Sequence, residues 1–197
     1  MVRRALAGLF AASLASCAAP PAPLPPESDD RAILAIEEGR YERGPVDSYD
    51  LIIGPPEVVT FMNREADGGK VRLRALLDSP KKYVRYFAVL ALSQIADAEA
   101  RSILSRWARR AGEPDLTLAR IAAVRLIWRN DFSLRECIRA IPSTDTFALM
   151  HVFGLARYRF GLESFQFSED PHVNEGRLKE FNEMLDDVPE WFMRTLR

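Results

Sequence analysis

The chain contains 197 residues, of which 48% are hydrophobic and 28% are charged, and its formal net charge is −1. This composition is typical of a globular protein, and the length corresponds to about one domain. Only two cysteines are present, Cys17 and Cys137. This number excludes a small secreted fold held together by disulfide bonds.

The charge is distributed unevenly along the chain. Residues 17–69 contain 4 basic and 11 acidic residues, residues 70–139 contain 15 and 7, and residues 140–197 contain 6 and 10. A basic block therefore lies between two acidic blocks. Such an asymmetry bears on the partners that a surface attracts rather than on the fold.

Residues 1–16 have the pattern of an export signal. Two arginines precede a short apolar stretch over residues 5–15, which is shorter than the roughly 20 residues that a membrane-spanning helix needs. The sequence Leu14-Ala15-Ser16-Cys17 resembles the lipobox of bacterial lipoproteins. This resemblance implies cleavage before Cys17 and acylation of its thiol and amine. A plain signal peptide followed by an incidental cysteine is the alternative.

Acylation of Cys17 would anchor the protein to a membrane, because each buried methylene contributes roughly 0.8 kcal/mol and two or three chains hold firmly. Ala18 follows, not the aspartate that favours inner-membrane retention in enteric bacteria, so we expect the periplasmic face of the outer membrane. Residues 18–26, AAPPAPLPP, favour an extended polyproline II conformation. Residues 17–27 are therefore predicted to be a lipidated cysteine and a spacer.

Residues 28–197 are predicted to form one all-α domain. Its first helix is expected after an N-cap at Ser28. Leu51-Ile52-Ile53 is interpreted as a packed loop, since no second alternating run is present to pair with it. The helices predicted before the central hairpin are 29–38, 56–66 and 71–77.

The clearest element is a helical hairpin from Ser79 to Gly112. From Tyr83 to Ala96 its first helix is apolar almost all round, so this helix should lie in an interior layer. The second helix has apolar residues at i, i+3, i+4, i+7 and i+8 and arginines on the opposite face.

The hairpin has weaker copies further along the chain. Residues 84–89 align with residues 119–124 and again with residues 150–155, which places Ala88, Ala123 and Gly154 at one position. A period of about 30 to 35 residues with two helices in each unit predicts an α-solenoid.

The segments Leu76-Leu77-Asp78, Val84-Arg85 and 88–97 (AVLALSQIAD) resemble the HEAT repeat family, especially its short bacterial form with phycobilisome-lyase-like repeats. The resemblance covers about residues 71–129. It implies a short α-solenoid of HEAT-like hairpins, best formed over residues 70–141, with irregular helical caps at both ends. Most proteins with such repeats are scaffolds or adaptors. By the same resemblance, three charged residues tie adjacent repeats together: Asp78, Arg85 and Arg120.

The C-terminal part is predicted to contain helices over residues 133–140, 145–160 and 177–186. Between the last two lie Phe165 and Phe167, which either fold back onto the core or form an exposed docking point. The final segment, with Trp191 and Phe192, either caps the open end of the solenoid or contacts a membrane.

The sequence contains no catalytic motif, so we predict no catalytic residue, no metal site and no cofactor. The nucleophile elbow Gly-x-Ser-x-Gly, zinc-binding His pairs and cysteine pairs are missing. His151 lies within an apolar helix, as expected of a core histidine. His172 lies in a predicted loop beside Asp170 and Glu175, and Cys137 is interpreted as a buried small hydrophobe.

The arginines of the basic block are the candidate binding surface. They have two interpretations: a solvated face that includes some repeat-stabilising arginines, or an anion-binding surface. In the second case the partner is an acidic protein, an anionic lipid or an acidic glycan, or the acidic N-terminal segment of the chain itself. The candidate residues are Arg101, Arg106, Arg109, Arg110, Arg125 and Arg129.

Together these patterns predict a lipid-anchored, periplasm-facing protein whose repeats act as an adaptor or scaffold for an unknown protein of the cell envelope. The alternative is a direct binder of anionic envelope components, such as lipid or lipopolysaccharide phosphates or acidic glycans. Both functions include contact with the bilayer through the acyl anchor, and neither is enzymatic. Nucleic acid is not an expected partner outside the cytoplasm.

Overall fold

The computed structural model describes residues 27–43 and 52–187. The predicted signal, Cys17, the spacer and the Trp191-Phe192 segment lie outside these residues. Two short strands are present in the described part, β1 (Glu42–Arg43) and β2 (Ile52–Ile53). Its helices are α1 (Glu27–Glu37), α2 (Pro56–Asp67), α3 (Val71–Leu76), α4 (Lys82–Ile95), α5 (Ala98–Arg110), α6 (Leu116–Trp128), α7 (Arg135–Arg139), α8 (Thr146–Phe160) and α9 (Pro171–Asp187).

The structure is all-α, as predicted, and most predicted helices are present. Two helix starts were wrong. Helix α1 begins at Glu27, so that Ser28 lies inside the helix and is not its cap. Helix α9 begins at Pro171 instead of at residue 177, because the Asp170 carboxylate accepts a hydrogen bond from the backbone N–H of His172 at 2.9 Å. His172 is therefore a residue of the first helical turn.

The interpretation of residues 51–53 as a packed loop was also wrong for the part of it that is described. Ile52 and Ile53 pair antiparallel with Arg43 and Glu42. The backbone N–H of Ile52 additionally donates a 3.0 Å hydrogen bond to the side-chain oxygen of Gln94 at the end of α4. Two residues are too few to produce an alternating pattern, which is why the sequence did not reveal this pair.

Helix α4 is an interior helix, as its apolar sequence predicted. It packs against α1, α3, α5 and α6, and α6 in turn packs against α8. Nine of its residues are buried, and Ala88 and the aligned Ala123 of α6 are both completely buried. The first helices α4, α6 and α8 thus lie side by side, and α5 fills the space beside α4 and α6.

Two ion pairs connect these neighbouring first helices. The guanidinium of Arg85 on α4 binds the carboxylate of Asp115, just before α6, at 2.8 Å. The guanidinium of Arg120 on α6 binds the carboxylate of Asp145, just before α8, at 2.7 Å. Asp78 was expected to tie adjacent repeats together but does not. It is exposed, and its carboxylate has no hydrogen bond or ion pair within the described residues.

Lys70 forms a similar connection on the other side of the hairpin. Its ammonium is buried and lies 2.8 Å from the carboxylate of Asp97, which caps α5 by accepting a 2.8 Å hydrogen bond from the N–H of Ala100. Burial alone would raise the pKa of Asp97, but the N–H of Ala100 and the Lys70 ammonium together lower it below its ordinary value of 3.8. The hydrogen bond from Lys70 to Asp97 correspondingly raises the pKa of the lysine.

Replacing Asp145 should separate the contribution of its ion pair from that of its helix cap. The Asp145 carboxylate also accepts a 3.1 Å hydrogen bond from the N–H of Ala148 at the start of α8. Asp145→Ala removes both interactions, together with a 3.0 Å hydrogen bond from the Thr117 hydroxyl, and should lower the free energy of unfolding by about 3 kcal/mol. Asp145→Asn keeps a capping oxygen, so its loss should be about 1 kcal/mol smaller. Urea denaturation measures both losses, and equal losses would show that the cap contributes nothing.

The lowered pKa of Asp97 predicts a specific dependence of stability on pH. The folded state binds the Asp97 proton less tightly than the unfolded chain does, so the stabilisation is present above pH 3.8 and is lost as the pH falls through the lower folded value. The stability difference between the wild type and Asp97→Asn should therefore be constant at neutral pH and shrink below pH 3.8. Urea titrations at a series of pH values measure it, and Asp78→Asn controls for the loss of one negative charge.

Candidate functional site

An arginine groove lies between the end of α3 and the exposed side of α5. Its volume is about 440 Å³. The floor is formed by apolar side chains that are almost completely buried, Leu77, Ile103 and Trp107. The rim carries one carboxylate, that of Asp78, and four guanidinium groups, those of Arg74, Arg106, Arg109 and Arg110.

The amphipathic pattern of α5 places three of these arginines at the groove. Ile103 and Trp107 face the core, so the arginines that alternate with them must lie at or beyond its edge. Arg106 and Arg110 each donate an Nε–H to the carbonyl oxygen four residues earlier, Ser102 and Arg106 respectively, at 3.3 Å. These bonds hold the base of each guanidinium against α5 and leave its terminal N–H groups for a ligand.

The groove is strongly positive because its charges are not balanced locally. Four guanidinium groups share the rim with a single carboxylate, and no ion pair joins Asp78 to any of them in the described part of the chain. Neighbouring like charges repel each other and attract an anion. Guanidinium groups also bind carboxylate and phosphate through two parallel hydrogen bonds. The groove is thus able to bind an anionic group beside an apolar one.

Only some of the arginines predicted to form a binding surface are exposed. Arg106, Arg109 and Arg110 are exposed, whereas Arg125 is 2% exposed and is a buried residue of α6. Arg125 donates a 2.9 Å hydrogen bond to the hydroxyl of Ser93. Including Arg125 in a binding surface was therefore wrong.

Arg129, also assigned to that surface, is half-buried and is not among the side chains that line the arginine groove. Its Nε–H donates a 3.2 Å hydrogen bond to the carbonyl of Ser93, so it helps to join the ends of α4 and α6. The sequence held a signal for both residues: α6 is apolar on every side, so arginines four positions apart have no polar face to occupy.

Arg101 lies apart from the other arginines of α5. It lines a second groove, formed by the first turns of α5 and the turn after α6. Arg109 lies between the two grooves and donates a 3.0 Å hydrogen bond to the carbonyl of Ser133. Arg74 belongs to the candidate site although the sequence did not single it out. Only its position at the end of α3, which tertiary packing brings beside α5, identifies it.

The acidic N-terminal segment has other partners where it is described. Asp29 on α1 binds the guanidinium groups of Arg64 and Arg72. Glu37 binds the ammonium of Lys81 at 3.1 Å, and Glu65 accepts hydrogen bonds from the first N–H groups of α3. These carboxylates stabilise the packing among the first four helices, α1, α2, α3 and α4. They do not neutralise the arginine groove.

The structure also shows the surroundings of the histidine, the cysteine and the two phenylalanines that the sequence singled out. His151 is completely buried, with its Nε2 3.2 Å from the hydroxyl of Tyr86, which confirms its interpretation as a core histidine. Burial raises the pKa of the half-buried Cys137 thiol, which disfavours the reactive thiolate. Phe165 is buried, as expected of a side chain folded back onto the core, whereas Phe167 is 41% exposed, as expected of an exposed one. Each phenylalanine thus fits one of the two predicted alternatives.

Within the described ranges, no cluster of three or more His, Cys, Asp or Glu side chains is arranged to hold a metal ion. None of the helices described is long and apolar enough to cross a membrane.

Fold and site together define an all-α protein of packed helical hairpins with an arginine groove on its surface. No protein-family model matches the chain, and no curated protein or solved structure shows significant similarity to it.

Proposed function

We propose that the protein is a lipid-anchored adaptor of the cell envelope, built as a short HEAT-like α-solenoid, that binds an acidic segment of a partner protein in its arginine groove. The observation that carries this proposal is the groove itself, where four guanidinium groups face one carboxylate above a floor of Leu77, Ile103 and Trp107.

The arrangement of the helices supports the solenoid part of the proposal. The first helices α4, α6 and α8 pack in succession, and the Arg85–Asp115 and Arg120–Asp145 pairs repeat the same connection between units. In solenoid proteins each unit contacts its neighbours and the outer helices present an extended surface to partners. Here α5 would supply that surface.

The chemistry of the groove supports an acidic peptide with an apolar anchor as the ligand. Arginine and tryptophan are the residues most often found at the energetic centres of protein interfaces. A ligand carboxylate would pair with Arg106 or Arg110, and an adjacent apolar side chain would lie against Trp107. The membrane anchor at Cys17 and the proline-rich spacer would keep this surface close to the membrane.

Charge reversal in the groove tests the adaptor function. We expect chemical crosslinking in intact cells to give a discrete adduct with the wild-type protein and at least a tenfold weaker adduct with Arg106→Glu/Arg110→Glu, since each lost charged contact costs about 1.5–3 kcal/mol. Lys82→Glu/Lys179→Glu makes the same charge change on exposed positions outside the groove and should leave the adduct intact. An adduct equally strong in both variants would contradict the proposal.

A second function is favoured by the same groove: direct binding of an anionic envelope component, such as a lipid or lipopolysaccharide phosphate or an acidic glycan. Phosphate fits the guanidinium groups as well as carboxylate does, and an acyl chain would contact the apolar floor. In this case the purified protein binds anionic vesicles without a protein partner. The binding would weaken between about 0.05 and 0.5 M salt and would be lost in Arg106→Glu/Arg110→Glu.

Replacing the proposed anchor tests the localisation. Cys17→Ala removes the thiol that would be acylated, so the variant should move from the membrane fraction to the soluble fraction, because the apolar chains that hold it there are missing. Fractionation followed by immunoblotting measures the change. Unchanged membrane association in Cys17→Ala would rule out this anchor while leaving the function of the groove open.

A further inference from the structure

A serine-lined groove lies on the other side of α5 from the core-facing Trp107. It has a volume of about 530 Å³ and is bounded by the first turns of α5 and by the turn that joins α6 to α7. This volume is within the range of small-molecule sites, roughly 300–1,000 Å³. The side chains that determine its chemistry are those of Arg101, Ser105, Asn130, Asp131, Phe132 and Ser133.

Protein hydrogen bonds hold two of the polar side chains in place and leave part of each for a ligand. One oxygen of the Asp131 carboxylate accepts a 3.0 Å hydrogen bond from the N–H of Ser133, and the other oxygen remains an acceptor. The amide oxygen of Asn130 accepts a 3.0 Å hydrogen bond from Arg159, which leaves its NH₂ group as a donor. Such fixed groups bind a ligand without first losing conformational entropy.

The groove differs from the arginine groove in its balance of charge and hydrogen-bonding groups. One basic side chain, Arg101, and one acidic side chain, Asp131, line this groove, so its lining carries no net charge. Arg101 and Asn130 supply donors, and Asp131 supplies an acceptor. The hydroxyls of Ser105 and Ser133 are hydrogen-bonded to each other at 3.4 Å, so between them they keep one donor and further acceptor positions.

We propose that this groove binds a neutral, hydroxyl-rich ligand, namely a short segment of an uncharged polysaccharide. Every sugar hydroxyl both donates and accepts a hydrogen bond, so it requires the mixture of donors and acceptors that lines the groove. The partly buried ring of Phe132 offers an apolar surface for the C–H face of a sugar ring. The site is separate from the arginine groove and does not depend on the function proposed for it.

The test is a titration of the full chain with neutral tetrasaccharides, cellotetraose, maltotetraose and tetra-N-acetylchitotetraose, followed by NMR or calorimetry. At about 0.5 M salt the arginine groove is screened, whereas hydrogen bonding to a neutral ligand persists. We expect at least one of these sugars to saturate the protein with a Kd of about 1 mM or below, typical of a small polar site. Failure of all three to saturate it at about 10 mM would overturn the proposal.

Variants of the groove locate the binding. Arg101→Gln/Asp131→Asn keeps the acceptor for the Ser133 N–H but removes both charges, and it should weaken binding at least about tenfold. Ser105→Gln should also weaken binding by filling the groove, and it provides an independent variant if the double variant does not fold. Arg74→Gln/Arg106→Gln is the matched control in the other groove and should bind normally. Undiminished binding in both serine-groove variants would equally overturn the proposal.

Discussion

The packing of successive hairpins depends on an arginine in the middle of one interior helix and an aspartate at the start of the next. Arg85 reaches Asp115, and Arg120 reaches Asp145. Each carboxylate is thereby held at the positive end of a helix, where the helix dipole and a guanidinium both stabilise its charge. The interior helices are apolar on nearly every side, and besides these pairs the hydrogen bonds from Arg125 and Arg129 to Ser93 join α4 to α6. These few polar contacts therefore help to align each helix with its neighbour.

This alignment has consequences for the surface of the molecule. Because α4 and α6 take up the interior, α5 is covered on one side only and presents its polar residues to solvent. Packing of α3 beside α5 then brings Arg74 to the arginines of α5 and forms the arginine groove, whereas the turn after α6 closes the serine-lined groove on the other side. One amphipathic helix thus contributes to two grooves with different linings, one strongly basic and one with a single charge of each sign.

Sequence patterns predicted the helices well and the site partly, and the differences have physical causes. The period of 3.6 residues identified α5 by its continuous buried face, whereas α4 was identified as an apolar run and α6 and α8 by their alignment with it. The strand pair escaped because two residues carry no period. Arg125 and Arg129 were assigned to the surface by their charge, yet both donate hydrogen bonds to Ser93 between α4 and α6. Charge alone does not distinguish an exposed arginine from one that satisfies an acceptor between helices.

The sequence by itself determined that the protein is all-α, that one hairpin has an interior helix and an amphipathic one, and that the arginines gather on the latter. These properties follow from the spacing of apolar and charged residues within single segments, so they do not depend on how the segments pack together. Tertiary structure alone decided which aspartate pairs with Arg85, that Asp78 has no such partner, and that Arg74 joins the groove while Arg101 lies in another. Each of these depends on the distance between side chains from separate helices, and only the packing of those helices sets that distance.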